Sequence, residues 1–206
     1  PVLWESFWSV IGCEKAAAYS NFVKSAFVMD IRPPARDVLL TLKASLNTAF
    51  IDGRADSSLE TRPMFLRNAP KEGEKFLCAL EEELKDCTSF SISVAFISRS
   101  GVTPLLQVLR EAEKRNVRGR ILTTDYLGFT EPAALKKLRG LKNLEVRLFR
   151  TSEARVGFHT KGYLFRHADG VDHLLLGSSN ITGSALTVNQ EWNVKLASAA
   201  TGAVAK

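Results

Sequence analysis

Residues 89–97, Ser-Phe-Ser-Ile-Ser-Val-Ala-Phe-Ile, alternate polar and apolar side chains before they merge into an apolar run. Alternation with a period of two is typical of a β-strand. Upstream of this stretch, Phe76, Leu77, Leu80 and Leu84 have the spacing of one face of a helix. The local order is therefore a helix followed by a strand.

The same alternation of helix and strand continues toward the C-terminus. Thr103, as the N-cap before Pro104, is expected to open a helix, and a strand follows at 120–124. A second helix is expected to begin at Glu131-Pro132, before a strand at 144–149. Strands separated by helices favour parallel pairing, so we predict an α/β fold with a mixed, largely parallel β-sheet flanked by helices on both faces.

Beyond residue 155 the pattern changes to antiparallel signals. The runs 158–167 and 172–177 read as strands, and the intervening Ala168-Asp169-Gly170-Val171 contains the Asp-Gly pair of a hairpin turn. Residues 178–186 are expected to form a turn and a short helix, and residues 192–196 a last strand.

The N-terminal part of the chain has a different character. Apolar residues at 22–27 and again from 35 to 46 fit helical stripes, and the turn-rich stretch 52–58 follows them. We therefore expect a helical N-terminal extension over residues 1–55 and a main domain over residues 56–206.

Charge is distributed unevenly along the 206 residues. The chain carries 28 Lys and Arg against 22 Asp and Glu, for a formal charge of +6. Between Arg99 and Arg155 there are thirteen basic and six acidic residues, whereas the segment from Asp52 to Cys87 is net acidic. A basic middle segment suggests a polyanionic partner, although exposed faces of helices also carry such charges.

The three cysteines indicate a reducing compartment. Cys13, Cys78 and Cys87 are odd in number and include no C-x-x-C pair, which favours free thiols and argues against structural zinc. No apolar run approaches the roughly 20 residues that a membrane-spanning helix needs, and the first residues lack the pattern of a secretory signal. We expect a cytoplasmic protein without a membrane partner.

Three short stretches in the C-terminal part combine into a candidate site. They are His159-Thr160-Lys161, Gly177-Ser178-Ser179-Asn180 and Glu191. On a strand, His159 and Lys161 would project from the same face, so that an imidazole and an ammonium reach one point. Each stretch alone has an ordinary structural explanation, but their order favours a site that handles phosphate.

The remaining residues of the candidate site have complementary chemistry. The Asn180 amide can donate to a phosphoryl oxygen, and Ser178 with the amides that open the next helix favours an anion. Glu191 can accept a hydrogen bond from the imidazole of His159 and so fix its tautomer.

These residues resemble a known family. His159-x-Lys161, followed by Gly177-Ser178-Ser179-Asn180 and a later glutamate, resembles the motif of the phospholipase D superfamily, and more closely its single-motif nucleases. Residues 45–196 further resemble the phospholipase D-like domain at the N-terminus of large bacterial DEAD/DEAH-box helicases, through the stretches 49–52, 93–97, 122–127, 129–132, 158–163 and 189–193.

The resemblance implies a mechanism and partners. It implies metal-independent cleavage of a phosphodiester through a phosphohistidine on His159, with Lys161 and Asn180 stabilising the transition state and Glu191 orienting His159. The substrate would be DNA, in restriction or defence, and no cofactor is expected. Because one chain supplies one motif, the active form would be a homodimer with a composite site. The resemblance also implies a helicase region in the same full-length polypeptide. No P-loop motif occurs in these residues, so we expect no ATP hydrolysis by this chain.

Several alternatives stay open. Arg166 stands where the commonest superfamily motif has an aspartate, so a non-catalytic nucleic-acid-binding module is the second reading, and lipid hydrolysis a weaker third. Asp125 and Tyr126 follow a predicted parallel strand and could line the cleft. A further set could ligate a metal, but it flanks the predicted hairpin turn, and we predict no metal; its members are His167, Asp169, Asp172 and His173.

Overall fold

The structure, a computed structural model, describes residues 63–199. The helices expected near the N-terminus, the domain boundary at residue 55 and Cys13 lie outside the described residues. None of the helices within 63–199 is both long enough and apolar enough to cross a membrane.

Seven strands form one mixed sheet in the order β1-β7-β6-β5-β2-β3-β4. The strands are β1 (Met64–Arg67), β2 (Ser89–Val94), β3 (Arg118–Thr124), β4 (Leu144–Phe149), β5 (Lys161–Arg166), β6 (Val171–Gly177) and β7 (Trp192–Ala199). The predicted α/β fold with a mixed sheet is confirmed.

The balance of strand directions differs from the prediction of a largely parallel sheet. Parallel pairing is limited to β2 with β3 and β3 with β4, while the other four neighbouring pairs are antiparallel. The reason is that β5 enters the sheet beside β2 in the opposite direction, and the hairpin to β6 and the return to β7 preserve antiparallel pairing. The predicted hairpin turn is confirmed, with Gly170 at φ 79°.

The helices connect successive strands and pack against one another. They are α1 (Phe76–Asp86), α2 (Arg99–Lys114), α3 (Pro132–Arg139), α4 (Thr151–Ala154) and α5 (Gly183–Thr187). Helix α2 contacts α1, α3 and α5, and α1 also contacts α5. The contacts place α1, α2, α3 and α5 in one layer, and coverage of both faces of the sheet stays a prediction.

One core joins these helices to alternate positions of the strands. In β2 the side chains of Phe90, Ile92 and Val94 are buried, as the period of two predicts. In α1, Phe76, Leu80 and Leu84 are each 1% exposed and belong to the same cluster. This burial of one face of each element supplies most of the driving force for folding.

The start of α2 lies five residues earlier than expected. Ser98, not Thr103, is the N-cap, and its Oγ accepts a hydrogen bond from the Gly101 amide at 3.2 Å. Thr103 lies inside the helix and donates from Oγ1 to the Arg99 carbonyl at 2.7 Å. Pro104 suggested a helix start because proline is common at the first helical position, but here it is accommodated within the helix.

Helix α2 begins in close contact with the segment that follows β6. A Cβ added at Gly101 would lie 2.2 Å from the Ile181 carbonyl oxygen, which is backbone and has little room to move. Only glycine therefore allows the two segments to approach so closely.

The substitution Gly101→Ala is expected to lower the free energy of unfolding by about 1–3 kcal/mol, because the new methyl group would overlap the Ile181 carbonyl. Urea unfolding followed by circular dichroism measures this change. The matched control is Gly157→Ala, where no atom lies within 4 Å of the added Cβ. An equal effect of the two substitutions would contradict the proposed close contact.

Candidate active site

His159 and Lys161 meet at the start of β5. Lys161 is the first residue of the strand, and His159 lies two residues before it, so the prediction that both are on the strand is wrong in detail. Their side chains nevertheless come together. Lys161 Nζ is 2.8 Å from His159 Nδ1 and 3.3 Å from Nε2, and it donates to the His159 carbonyl at 3.0 Å.

Neighbouring strand β2 holds this segment in place. The register pairs Val94 with Lys161, and the hydroxyls of Ser93 and Thr160 are 2.7 Å apart. The ring of Phe96 meets the imidazole of His159 edge-on, with centroids 5.8 Å apart at 74°. The imidazole is thus exposed to solvent on one side and supported by an aromatic ring on another.

The ammonium of Lys161 is in a partly desolvated position. Burial lowers its pKa below the usual value, and the negative charge of Glu191 opposes that change. Partial burial strengthens the interaction of an ammonium with any anion that binds beside it.

Asn180 is oriented by a backbone group. Its Oδ1 accepts a hydrogen bond from the Phe96 amide at 3.1 Å, which assigns the other end of the side chain as the Nδ2 donor. The residue is half-buried, and Phe96 also contacts His159. The structure therefore links Asn180 to the imidazole through a single intervening residue.

A short backbone pairing fixes this arrangement. The Ile181 amide donates to the Phe96 carbonyl at 3.2 Å, and the Ser98 amide donates to the Ile181 carbonyl at 2.9 Å. These bonds join the end of β2 to the end of β6 as an isolated parallel bridge. Because β5 lies between β2 and β6 in the sheet, the bridge crosses the edge at which β5 begins.

Ser178 and Glu191 form a second pair of the predicted residues. Ser178 Oγ donates to Glu191 Oε2, and Asn189 Nδ2 lies 3.4 Å from Glu191 Oε1. Within residues 63–199, the hydrogen bonds of the His159 ring are to Lys161, and none joins it to Glu191. The predicted role of Glu191 in orienting His159 therefore stays a prediction.

Buried polar side chains support the loop that carries Ser178 and Asn180. Tyr163, wholly buried, donates its hydroxyl to the Ser179 carbonyl at 2.7 Å, and burial raises the pKa of the phenol above its usual value. Asn193 accepts from the Ser179 amide at 3.2 Å and donates to its hydroxyl at 2.9 Å. Tyr163 and Asn193 were not among the candidates, although both fall within the stretches that carry the resemblance.

Exposed aromatic side chains lie near Phe96, and one of them, Phe129, was not among the candidate residues. The ring of Phe129 meets that of Phe96 edge-on, with centroids 5.0 Å apart, and Phe129 is 56% exposed. Tyr126, which was expected to line the cleft, is 42% exposed, and its role there stays a prediction. The available signal was the concentration of large apolar residues in the turn-like stretch 126–129, where polar residues are more usual.

Asp125 has a structural role in this region. Its Oδ1 accepts hydrogen bonds from the amide and the hydroxyl of Thr151, both at 2.9 Å. The hydrogen bond from the Thr151 amide has the largest effect, followed by the one from its hydroxyl. Together they hold the pKa of the Asp125 carboxyl below its usual value. The residue thus ties the end of β3 to the start of α4.

The four residues considered as metal ligands do not converge on one point in the structure; they are His167, Asp169, Asp172 and His173. Asp169 accepts from the Val171 amide at 2.9 Å within the hairpin turn, and Asp172 faces Arg166 across the two strands with 3.6 Å between Oδ2 and Nε. Burial raises the pKa of Asp172. His167 and His173 instead converge on Glu83, a residue that the sequence analysis did not consider.

A family model described as "Cardiolipin synthase, PLD-like domain" matches residues 80–205, which is more than half of the chain. This chain belongs to the PLD-like domain family. The match spans β2 through β7 and includes every predicted site residue. Comparison with curated proteins finds no match.

The chain is similar to several solved structures, and the TM-score above 0.5 for NucT supports the fold. NucT from Helicobacter pylori has a TM-score of 0.51 at 15% identity, covering 65% of this chain and 84% of that one. Nuc from Salmonella typhimurium, a phospholipase D family member, has a TM-score of 0.47 at 23% identity, with 65% and 82% covered. Yeast tyrosyl-DNA phosphodiesterase has a TM-score of 0.43 at 16% identity, with 65% and 31% covered.

Removal of the Tyr163 hydroxyl is expected to destabilise this PLD-like domain. Tyr163→Phe leaves the buried Ser179 carbonyl without its partner, so the free energy of unfolding should fall by about 1–3 kcal/mol. Thermal and urea unfolding measure the change. The control is Tyr126→Phe at an exposed position, and a loss of stability there as large as in Tyr163→Phe would contradict the argument.

Proposed function

We propose that this PLD-like domain is a metal-independent phosphodiesterase that cleaves DNA through a phosphohistidine formed on His159. The observation that carries the proposal is the contact between His159 and Lys161, with the Asn180 amide fixed nearby through Phe96. Cleavage of a phosphodiester by covalent catalysis requires a nucleophile and groups that stabilise the developing negative charge. His159 would supply the nucleophile, and Lys161 and Asn180 would supply a cation and a neutral donor.

Lys161 and Asn180 would stabilise the charge that develops on phosphorus-bound oxygens. In the free site Lys161 donates to His159, and an incoming phosphate oxygen would take over that hydrogen bond. Asn180 would donate from Nδ2, because its Oδ1 is engaged by the Phe96 amide. A pre-oriented donor of this kind is typically worth about 2.7–4 kcal/mol in the transition state.

The covalent step needs a nucleophile and an acid. A nitrogen lone pair of His159 forms a bond to phosphorus, the bond from phosphorus to the leaving oxygen breaks, and that oxygen takes a proton from a second imidazole. Water then attacks phosphorus, gives a proton to the second imidazole, and the nitrogen–phosphorus bond breaks. Since one chain supplies one such motif, the second imidazole would be His159 of a second copy in a homodimer.

Sedimentation of the active protein as a dimer would support the participation of a second copy, and activity of a monomer would contradict it.

Glu191 and Ser178 would act around the nucleophile. The negative charge of Glu191 acts on Lys161 and opposes the lowering of the pKa of its ammonium by burial. In the free site the Glu191 carboxylate accepts a hydrogen bond from Ser178 Oγ. A change of partner from Ser178 to the imidazole would let Glu191 orient His159 when substrate binds. Ser178 Oγ and the local amides would then be free to contact phosphate.

Charge and aromatic rings support DNA as the substrate. The stretch from Arg99 to Arg155 carries thirteen basic against six acidic residues, and phosphate backbones bind surfaces with such an excess. Phe129, exposed and in contact with Phe96, offers a ring on which an unstacked base can lie.

The wider context of the domain rests on the sequence resemblance alone. We propose that it acts in the cytoplasm, in restriction or defence, beside a DEAD/DEAH-box helicase region of the same full-length polypeptide. The second candidate function, a non-catalytic DNA-binding module, draws on Arg166 in place of the motif aspartate. The pairing of Arg166 with Asp172 gives this arginine a structural role that leaves the His, Lys, Asn and Glu set intact.

Cleavage of single-stranded and plasmid DNA in EDTA tests the proposal. The wild-type chain should cut, and His159→Ala should abolish cutting while leaving the circular dichroism spectrum unchanged, because the imidazole is exposed and makes few packing contacts. Lys161→Met, which removes the proposed ammonium, should also lower the cleavage rate. Its control is Lys71→Met, which removes an exposed lysine remote from Lys161 in sequence. Tight, salt-sensitive DNA binding without cutting, unaffected by His159→Ala, would favour the binding module.

Asn180→Asp separates the two roles of this side chain. An aspartate oxygen can still accept from the Phe96 amide, but the Nδ2 donor is replaced by a negative oxygen. We expect stability within about 1 kcal/mol of the wild type, since the buried amide keeps its partner. The cleavage rate should fall by about 10²–10³-fold or more, as for loss of one transition-state donor. Single-turnover kinetics measure the rate, and unchanged cleavage would contradict the role of Asn180.

A further inference from the structure

Four ionisable side chains converge at the end of the sheet opposite to His159. Glu83 Oε2 lies 3.0 Å from His167 Nε2 and 2.8 Å from His173 Nδ1, while Lys195 Nζ lies 2.6 Å from Glu83 Oε1. His159 precedes β5 and His167 follows it, so the two sites are separated by the length of a six-residue strand, about 20 Å. Nothing in the proposed cleavage of DNA uses this cluster.

We propose that Glu83, His167 and His173 form a binding site for a divalent transition-metal ion, with Zn²⁺ as the best match. Two imidazoles and one carboxylate are a common zinc ligand set with room for a water as the fourth ligand. The chain brings the three ligands from separate elements: Glu83 from α1, His167 from the end of β5 and His173 from β6.

The distances between the ligand atoms suit this ion. The two ring nitrogens and the carboxylate oxygen all lie within 4.8 Å of one another. In a tetrahedral site with zinc bonds of about 2.0–2.1 Å, ligand atoms are about 3.3 Å apart. Movements of a few tenths of an ångström at the two short contacts would therefore admit the ion, and an imidazole-rich site favours zinc over magnesium.

The surroundings of the carboxylate divide its two oxygens between two tasks. Oε2 faces both imidazoles, and Oε1 is held by Lys195, in the manner of an outer partner that orients a metal-binding carboxylate. Burial alone would raise the pKa of Glu83, but the hydrogen bonds from His167, His173 and Lys195 outweigh burial and hold it well below its usual range. The geometry therefore leaves Oε2 as the oxygen that would face the ion and Oε1 as the oxygen that Lys195 holds in place.

Access and position fit an ion that joins two elements of the fold. The Glu83 side chain is 5% exposed, whereas those of His167 and His173 are 13% and 16% exposed, so an ion can enter from the side of the rings. Bound there, the ion would tie helix α1 to the β5–β6 hairpin. Zinc binding would raise the stability of the folded chain by mass action.

The test is titration of the purified full chain with ZnCl₂, followed by calorimetry, elemental analysis after dialysis and thermal unfolding. We expect one Zn²⁺ per chain, a rise in Tm with zinc, and no rise with the same concentration of MgCl₂. A Tm that zinc leaves unchanged, or no zinc retained, would overturn the proposal and leave the cluster as a hydrogen-bonded network alone.

Substitutions assign the binding to these residues. In His167→Gln and His173→Gln the amide can still donate to Glu83 and so preserve folding, but it is a poor zinc ligand. Each should weaken zinc binding by more than the roughly 10–100-fold that loss of an outer hydrogen-bond partner costs. His159→Gln, which alters the remaining histidine of the chain, should leave zinc binding unchanged.

Two outcomes would contradict this assignment. Zinc binding that survives both His167→Gln and His173→Gln would place the ion elsewhere, for example on the exposed thiol of Cys78. Loss of binding in His159→Gln would move it to the proposed active site. DNA cleavage in EDTA is a separate readout, measured at a temperature where the metal-free chain is folded, so failure of either proposal leaves the other intact.

Discussion

The bridge between residues 96–98 and residues 180–181 is the constraint on which the candidate site depends. Two backbone hydrogen bonds join the ends of β2 and β6 across the start of β5, and the Phe96 amide turns the Asn180 side chain so that its Nδ2 can donate. Gly101 makes room for this bridge, because any side chain there would overlap Ile181. Asn180, Phe96 and His159 thus owe their common location to this backbone bridge together with the hydrogen bond from Phe96 to Asn180 and the ring contact of Phe96 with His159.

The order of the strands explains why ionisable side chains cluster at both ends of β5. This strand lies in the middle of the sheet, between the parallel part formed by β2, β3 and β4 and the antiparallel part formed by β6, β7 and β1. At its start, Ser93 contacts Thr160 and Phe96 contacts both His159 and Asn180. At its end, the hairpin presents two imidazoles to Glu83 of α1. The buried Tyr163, between these ends, supports the loop with Asn180.

Much of the fold could be predicted from periodicity, because buried strands and helix faces repeat with fixed spacing. Strand 144–149 and the helix from Pro132 were predicted at their observed starts. The antiparallel pairing of β5 with β2 could not be predicted from periodicity, since strand direction depends on contacts between residues that are distant in sequence. Likewise His159 and Lys161 were recognised by their spacing, whereas Phe129 and Glu83 were missed: their partners lie at least 33 residues away along the chain.

In the proposed mechanism His159 carries the phosphoryl group during cleavage. The most direct measurement is mass spectrometry of the chain after a reaction with short DNA in EDTA has been quenched under alkaline conditions, which preserve phosphohistidine. The account predicts a phosphate-linked nucleotide on the peptide that contains His159, formed and lost at the rate of turnover. Cleavage products without any adduct on this peptide, or an adduct on another residue, would contradict it.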